Sequence, residues 1–224
     1  MTPHHTTIPA PTTATALFGL WRVDGPDHQD ATIDAIHTAW RSRPWPGPGL
    51  ASYSVLACDD GHHLLHVSQT TDPNAATGQD LTWKRDVDTA EPGIHRLGVT
   101  PVRLHRSTPT HEPIHNTGCI VFVTRVFDGP DIDRANTLVD TMFAAGEKAR
   151  PAPGMISANF YVSLDGIHIY NHALWTSSQA HHTAIDNPPK TLADSDEWQQ
   201  AHAWPGLLST TFQRYTPRLH LIPQ

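Results

Sequence analysis

The sequence is written twice, and that repetition restricts the chain to folds built from two like halves. Arg22-Val23-Asp24-Gly25-Pro26-Asp27 recurs as Arg125-Val126-Phe127-Asp128-Gly129-Pro130-Asp131 with one residue inserted. Pro46-Gly47-Pro48-Gly49-Leu50 answers Pro151-Ala152-Pro153-Gly154-Met155. At one shared interval past the leading prolines come Asp60-Gly61 and Asp165-Gly166, followed by His63 and His168. Pro92-Gly93-Ile94 then answers Pro205-Gly206-Leu207, displaced by an insertion that includes Asn187-Pro188-Pro189.

Each copy reads as strand, helix, strand, strand, helix, strand. Ala16 to Val23 is an apolar run stopped by Asp24-Gly25-Pro26-Asp27, a sequence that ends a strand and starts a helix. Ile33, Ile36 and Trp40 follow at helical spacing, and in the second copy Ala135, Leu138, Val139, Met142, Phe143 and Gly146 trace a stripe of the same period. The proline and glycine clusters end both helices. Leu50 to Cys58 and His62 to Thr70 flank Asp60-Gly61 as a hairpin, and Met155 to Val162 and Ile167 to Trp175 repeat it around Asp165-Gly166. Second helices carry Trp83, Val87 and Ala90 in one copy and are interrupted near Pro188-Pro189 in the other. Closing strands run through Val99 to Leu104 and Ser209 to Tyr215. The fold class is therefore α+β, two tandem ferredoxin-like βαββαβ repeats whose open sheet faces bury each other as an intramolecular α+β barrel. The expected division is a flexible arm over 1–14, an N-terminal repeat over 15–106, a linker over 107–117 and a C-terminal repeat over 118–224.

Composition narrows the function. With 38% hydrophobic and 17% charged residues the 224-residue chain can build a sizeable core. A net charge of −7 disfavours nucleic acid and anionic membranes, leaving a small-molecule partner. Cys58 and Cys119 lack CxxC spacing and read as small buried apolar residues. The first 21 residues contain no Lys or Arg and no apolar run of signal type, and no segment has the length of a membrane helix, so a cytoplasmic location is expected. No GxGxxG, P-loop or CxxC pattern asks for a cofactor. Among 17 histidines, His62 with His66 and His168 with His172 have same-face spacing for a metal. The two pairs fall out of repeat register, however, and no inward acid accompanies them, so no metal is expected.

One strand carries the sharpest chemical signal. Side chains two apart share a strand face, so Ile167, Ile169, Asn171, Ala173 and Trp175 lie on one side, and His168, Tyr170, His172 and Leu174 on the other. A single amide among apolar groups, ending in an indole, suits a flat phenolic ring: the indole packs on it and the amide donates to a phenolate oxygen. The same residues also suit a core tryptophan and an asparagine bonded to backbone. Arg22 and Arg125, at matching Arg-Val steps, have as candidate partners a substrate oxyanion or a neighbouring aspartate.

The run Ile169-Tyr170-Asn171-His172-Ala173-Leu174-Trp175-Thr176-Ser177-Ser178-Gln179-Ala180, set in the duplicated βαββαβ order, resembles the antibiotic biosynthesis monooxygenase family of the dimeric α+β barrel superfamily. In its small anthrone-oxidising members the matching Asn and Trp line the pocket, and the resemblance implies the same for Asn171 and Trp175. It further implies a cofactor-independent monooxygenase that oxidises an aromatic polyketide-type phenol or anthrone to a quinone in secondary-metabolite biosynthesis, with O2 as co-substrate. The expected catalytic residues are Asn171, Trp175 and a proton donor, His181, with His182 as its alternative. Ile169, Ala173, Phe122, Phe143, Arg214 and, from the first copy, His66 complete the expected substrate-binding residues. In the first copy His66 and Thr70 stand where Asn171 and Trp175 stand in the second. The working site is accordingly expected in the C-terminal half, with the N-terminal half a structural partner or a differently tuned pocket. Other functions on the same scaffold are an oxygen-independent isomerase, cyclase or lyase, haem binding and breakdown, and a non-enzymatic biosynthetic partner. The chain is expected as a monomeric pseudo-dimer or a homodimer of it.

Overall fold

The computed structural model of the chain describes residues 15–47, 49–71, 82–147, 150–187 and 195–223. The arm expected over residues 1–14 and the Pro188-Pro189 interruption lie outside them. The elements run β1 (Thr15–Arg22), α1 (Pro26–Arg41), β2 (Leu50–Cys58), β3 (His63–Thr70), α2 (Thr82–Ala90) and β4 (His95–Ser107). They continue with β5 (Cys119–Phe127), α3 (Ile132–Glu147), β6 (Met155–Ser163), β7 (His168–Trp175), α4 (Ser178–Asp186), α5 (Asp196–His202) and β8 (Leu207–Leu221). The fold class is α+β, two βαββαβ repeats in tandem: in the N-terminal unit β3 lies between β1 and β2, and in the C-terminal unit β7 lies between β5 and β6.

The chain forms two compact units, one from Met1–Val102 with Tyr215–Gln224 and the other from Arg103–Arg214. The closing strands explain why these limits differ from the repeat limits. At 13 and 15 residues, β4 and β8 are far longer than the six and seven residues expected from sequence, and each passes from one unit into the other. The segment 107–117 is tied to β6 rather than free: Thr108 N donates to Ala158 O and His111 N to Ile156 O, both at 2.9 Å.

In the N-terminal unit, Pro26 occupies the first turn of α1 and Asp27 follows it, a start that suits both the missing proline N–H and the helix dipole. Ile33, Ile36 and Ala39 of α1 and Trp83 and Val87 of α2 pack on Trp21, Tyr53, Val55, Ala57 and Leu64 of the sheet. In the C-terminal unit, Asp131 caps α3 by accepting from Arg134 N at 2.9 Å. Ala135, Leu138, Val139 and Met142 bury the expected stripe against Val121, Ala158, Phe160, Ile169 and Trp175.

Both hairpin turns do a second task. Asp60 Oδ1 accepts from the N–H groups of His62 and His63, and Asp165 Oδ1 from that of Ile167. The glycines between them take φ of 74° and 73°, the left-handed region. Each sits under the start of the first helix of its unit, where a Cβ on Gly61 would meet Pro26 Cγ at 2.7 Å and one on Gly166 would meet Ile132 N at 2.5 Å. The repeated Asp-Gly is thus a tertiary contact as well as a turn. Gly166→Ala is expected to lower stability by about 1–3 kcal/mol, from the unfavourable φ together with the backbone clash, read as a reduced urea midpoint with the m-value unchanged.

Candidate functional site

Strand pairing sets the correspondence between the two units. Gly19, His66 and Val55 form one cross-strand row, and Val123, Asn171 and Phe160 form its counterpart. His66 and Asn171 are therefore equivalent. The row beside them reads Trp21, Leu64, Ala57 in one unit and Arg125, Ile169, Val162 in the other. Trp21, not Arg22, is the partner of Arg125, which corrects the register taken from the repeated Arg-Val. Arg22 is exposed and Arg125 is buried.

In the N-terminal unit the row opens onto a cavity of about 230 Å³, lined by Leu17, Gly19, Trp21, Trp40, Tyr53, His66, Ser68, Trp83, Lys84 and Val99. Its walls are rings. Trp21 lies 5.8 Å from Trp83 and 4.1 Å from His66, and Trp40 lies 4.7 Å from Tyr53 and 5.6 Å from Trp83, centroid to centroid. The volume falls below the roughly 300–1,000 Å³ usual for larger ligands, which suits one compact, flat molecule. A hollow of about 440 Å³ between α1 and α2 is bigger, but it is lined by short side chains and by Asp34, Asp86 and Glu91, with no ring.

At the cavity's polar point, Tyr53 Oη and His66 Nδ1 are 2.6 Å apart and buried. His66 Nε2 is buried without a partner. Burial first, then the charges of Lys84 and Arg96, pushes the His66 pKa down to about 3, so the ring is neutral near pH 7. Burial also pushes the Tyr53 phenol well above its usual range, with the Trp40 side chain opposing, so Tyr53 keeps its proton. A phenol that donates to Nδ1 leaves the ring proton on Nε2. His66 then presents an N–H donor at the position where the other unit presents an amide. Lys84 also reaches the cavity. Burial and the Arg96 charge lower its pKa, against Asp88, and its ammonium lies 5.7 Å from the Trp83 ring. Arg96 covers the Trp21 ring at 4.6 Å.

The C-terminal unit holds the residues expected from sequence. Ile169, Ala173 and Trp175 share the helix-facing core with Phe143 and Phe160, and Asn171 lies on that face, opposite Val123 and Phe160. Asn171 Oδ1 and Trp175 Nε1 are both buried without hydrogen-bond partners. His181, on the first turn of α4, meets the Trp175 ring edge-on at 4.9 Å and Phe212 at 5.5 Å. Arg214 donates to His181 Nδ1 at 3.0 Å and lies 3.2 Å from His182 Nδ1. Phe122 is not brought to this face: it packs on Tyr170 at 5.2 Å and near His172, on the opposite side of the sheet. The proton expected on His181 is also absent. Burial, then Arg214 and His182, lowers its pKa to about 4, and a ring accepting at Nδ1 is a neutral Nε2–H donor rather than an imidazolium.

Thr70 is buried and paired with Thr15, Oγ1 to Oγ1 at 3.1 Å. Cys58 and Cys119 are buried and form no disulfide, and burial pushes the Cys58 thiol up to about 12. Of the histidine pairs, His62 is exposed while His66 is buried, and His168 stacks on Tyr170. Among the described residues no group of three or more His, Cys, Asp or Glu is gathered for a metal, and no helix is long and apolar enough to cross a membrane.

The sequence reading missed Trp21, Trp40, Tyr53, Trp83 and Lys84. Applying the strand alternation to β1 as well as β7 would have found Leu17, Gly19 and Trp21 on the His66 face. The rings from α1, β2 and α2 carry no motif.

No protein-family model matches the sequence, nor does any curated protein. Solved structures do match. An anthrone oxidase-like protein superposes with a TM-score of 0.69 at 14% identity, covering 93% of this chain and 92% of that one. A candidate monooxygenase from Lactobacillus acidophilus NCFM gives 0.57 at 8% identity, covering 93% and 96%. A monooxygenase from the gene ActVA-Orf6 of Streptomyces coelicolor, in complex with nanaomycin D, is 28% identical over 49% of this chain and 95% of that chain, with a TM-score of 0.42. The chain thus shares the fold of the anthrone oxidase-like protein and of the Lactobacillus structure.

The buried imidazoles make stability depend on pH. His66 and His172 are held neutral with pKa near 3 and 4 by burial, against about 6.5 in the unfolded chain. Below about pH 6.5 the unfolded chain gains protons that the folded chain does not, so stability is full above that pH and falls as pH drops toward 4. Between pH 7 and 5, His66→Phe is expected to lose about 2 kcal/mol less than the unaltered protein, measured by urea unfolding at each pH.

Proposed function

We propose that this protein is a monooxygenase-type enzyme that oxidises a flat phenolic or anthrone-type aromatic with O2 and without a cofactor. The observation that carries the reading is the ring-walled cavity of the N-terminal unit, with the neutral Tyr53–His66 pair at its polar point. The indole walls sandwich a planar ring and exclude water. His66 Nε2–H, fixed by Tyr53, donates to the substrate oxygen as it becomes an oxyanion, and Lys84 supplies a nearby positive charge.

The chemistry asks for nothing more than an anion held in a dry site. An anthrone gives its CH proton to solvent as it binds, and the carbanion gives one electron to O2. Radical and superoxide join as a carbon-bound peroxide anion, which takes a proton back from solvent, and loss of water leaves a carbonyl. One CH2 and one O2 become one C=O and one H2O. The partners are thus a small aromatic substrate and O2, and the product class, a quinone, fits antibiotic or other secondary-metabolite biosynthesis.

A second placement of the same reaction is favoured by the unpartnered Asn171 amide oxygen and Trp175 N–H in the C-terminal unit. There Asn171 would hold the oxyanion, Trp175 pack on the ring and the neutral His181 donate a hydrogen bond. Oxygen-electrode assays with an anthrone or a naphthohydroquinone separate the two placements. Uptake of one O2 per quinone is expected, with His66→Phe lowering kcat by about 100-fold or more and Thr70→Ala leaving it unchanged. A large loss from Asn171→Leu with none from His66→Phe moves the reaction to the C-terminal unit. Substrate conversion without O2 uptake replaces the oxygenase by an isomerase, cyclase or lyase.

A further inference from the structure

The C-terminal unit buries a positive charge that nothing described there neutralises. Arg125 is only 8% exposed, and its Nη1 is buried with no hydrogen-bond partner. Three acids of that unit pair elsewhere, Asp128 with Arg134, Asp140 with His105 and Arg106, and Asp165 with the hairpin turn, and none of the three pairs with Arg125. Burial alone lowers its pKa, to about 10, so the guanidinium still carries its charge at pH 7. Removing a charge from water without a partner costs several kcal/mol. The equivalent position in the other unit is Trp21, so the fold itself does not need a cation there.

The placement of Arg125 gives the charge a purpose. It is on the helix-facing side of β5, opposite Ile169. Asn171, next along that face of β7, is its diagonal neighbour, at a Cβ separation of about 7–8 Å that an arginine side chain spans. Asn171 is only partly buried, and its Oδ1 is buried with no partner. Phe160, in the Asn171 row, meets Phe143 edge-on at 5.4 Å. A guanidinium fork, an amide and two phenyl rings on one face match a planar ring bearing a carboxylate.

We propose that Arg125 and Asn171 form a binding subsite for an aromatic carboxylate in the C-terminal unit. The carboxylate takes two guanidinium N–H groups and the Asn171 N–H, and the ring packs on Phe160. This subsite is separate from the ring-walled cavity of the N-terminal unit, and its occupation requires no turnover.

Calorimetric titration of the full chain at pH 7 with 2-naphthoate, 2-naphthamide and 2-naphthol tests it. 2-Naphthoate, ionised at this pH, is expected to bind at least tenfold more tightly than either neutral analogue. Arg125→Met should erase that preference and, by removing an uncompensated buried charge, raise the melting temperature of the ligand-free protein. Should Arg125→Met not fold, Arg125→Lys keeps the charge without the fork and should weaken 2-naphthoate alone. His66→Phe should leave 2-naphthoate binding as it is. The assignment is overturned if 2-naphthoate shows no preference over 2-naphthamide, or if Arg125→Met retains it. It is equally overturned if His66→Phe removes the binding, because the ligand then sits in the other unit. Loss of O2 uptake with 2-naphthoate binding intact would refute the oxygenase and leave the subsite standing.

Discussion

A polar side chain on the helix-facing side of a central strand has no water to bond to, and every site in this protein follows from that constraint. β3 and β7 are paired on both edges, so their backbone groups are spent in the ladder. His66 and Asn171 occupy the same position on them and must find their partners inside the layer or in a ligand. His66 finds Tyr53 on one nitrogen and nothing on the other. Asn171 Oδ1 finds nothing. An apolar residue at either position would be cheaper for the fold, so a polar group retained there is accounted for by what it binds.

The two units answer the constraint with different surroundings. Around His66 the N-terminal unit gathers indoles from β1, α1 and α2, leaving a cavity with the neutral Tyr53–His66 pair in its wall and Lys84 beside it. Around Asn171 the C-terminal unit places Trp175 on β7 itself, His181 on α4 and Arg125 on β5. The indole absent at Thr70 is therefore supplied from Trp21, one strand over. Exchange of Trp21 for Arg125 at one equivalent position turns an aromatic wall into a cationic one. One backbone carries both arrangements because the ladder fixes only where a side chain starts.

Duplication made the fold readable. Strand limits for the hairpins lie within one or two residues of those observed, because each is bounded by Asp-Gly and by a proline or glycine cluster. The closing strands were read as half their length. β4 is largely exposed over the residues it adds, and most of the added length of β8 lies past Tyr215 across Pro217, a residue that ordinarily stops a strand. Phe122, expected in the site, lies one residue from Val121 and Val123 on β5, and that odd step sends it to the opposite face. The matching of Arg22 with Arg125 failed for a related reason: it aligned letters across an insertion, and only the hydrogen-bonded rows show which residues are equivalent.

Sequence alone determined the order of elements, the tandem βαββαβ class and the face on which Asn171 and Trp175 lie, because local periodicity and turn chemistry act over a few residues. It could not determine the cavity or the unpartnered guanidinium. Four rings converge on His66 from two strands and two helices, and Arg125 Nη1 is buried with no hydrogen-bond partner. Both outcomes depend on distances between residues far apart in the chain, which packing sets and no local pattern records.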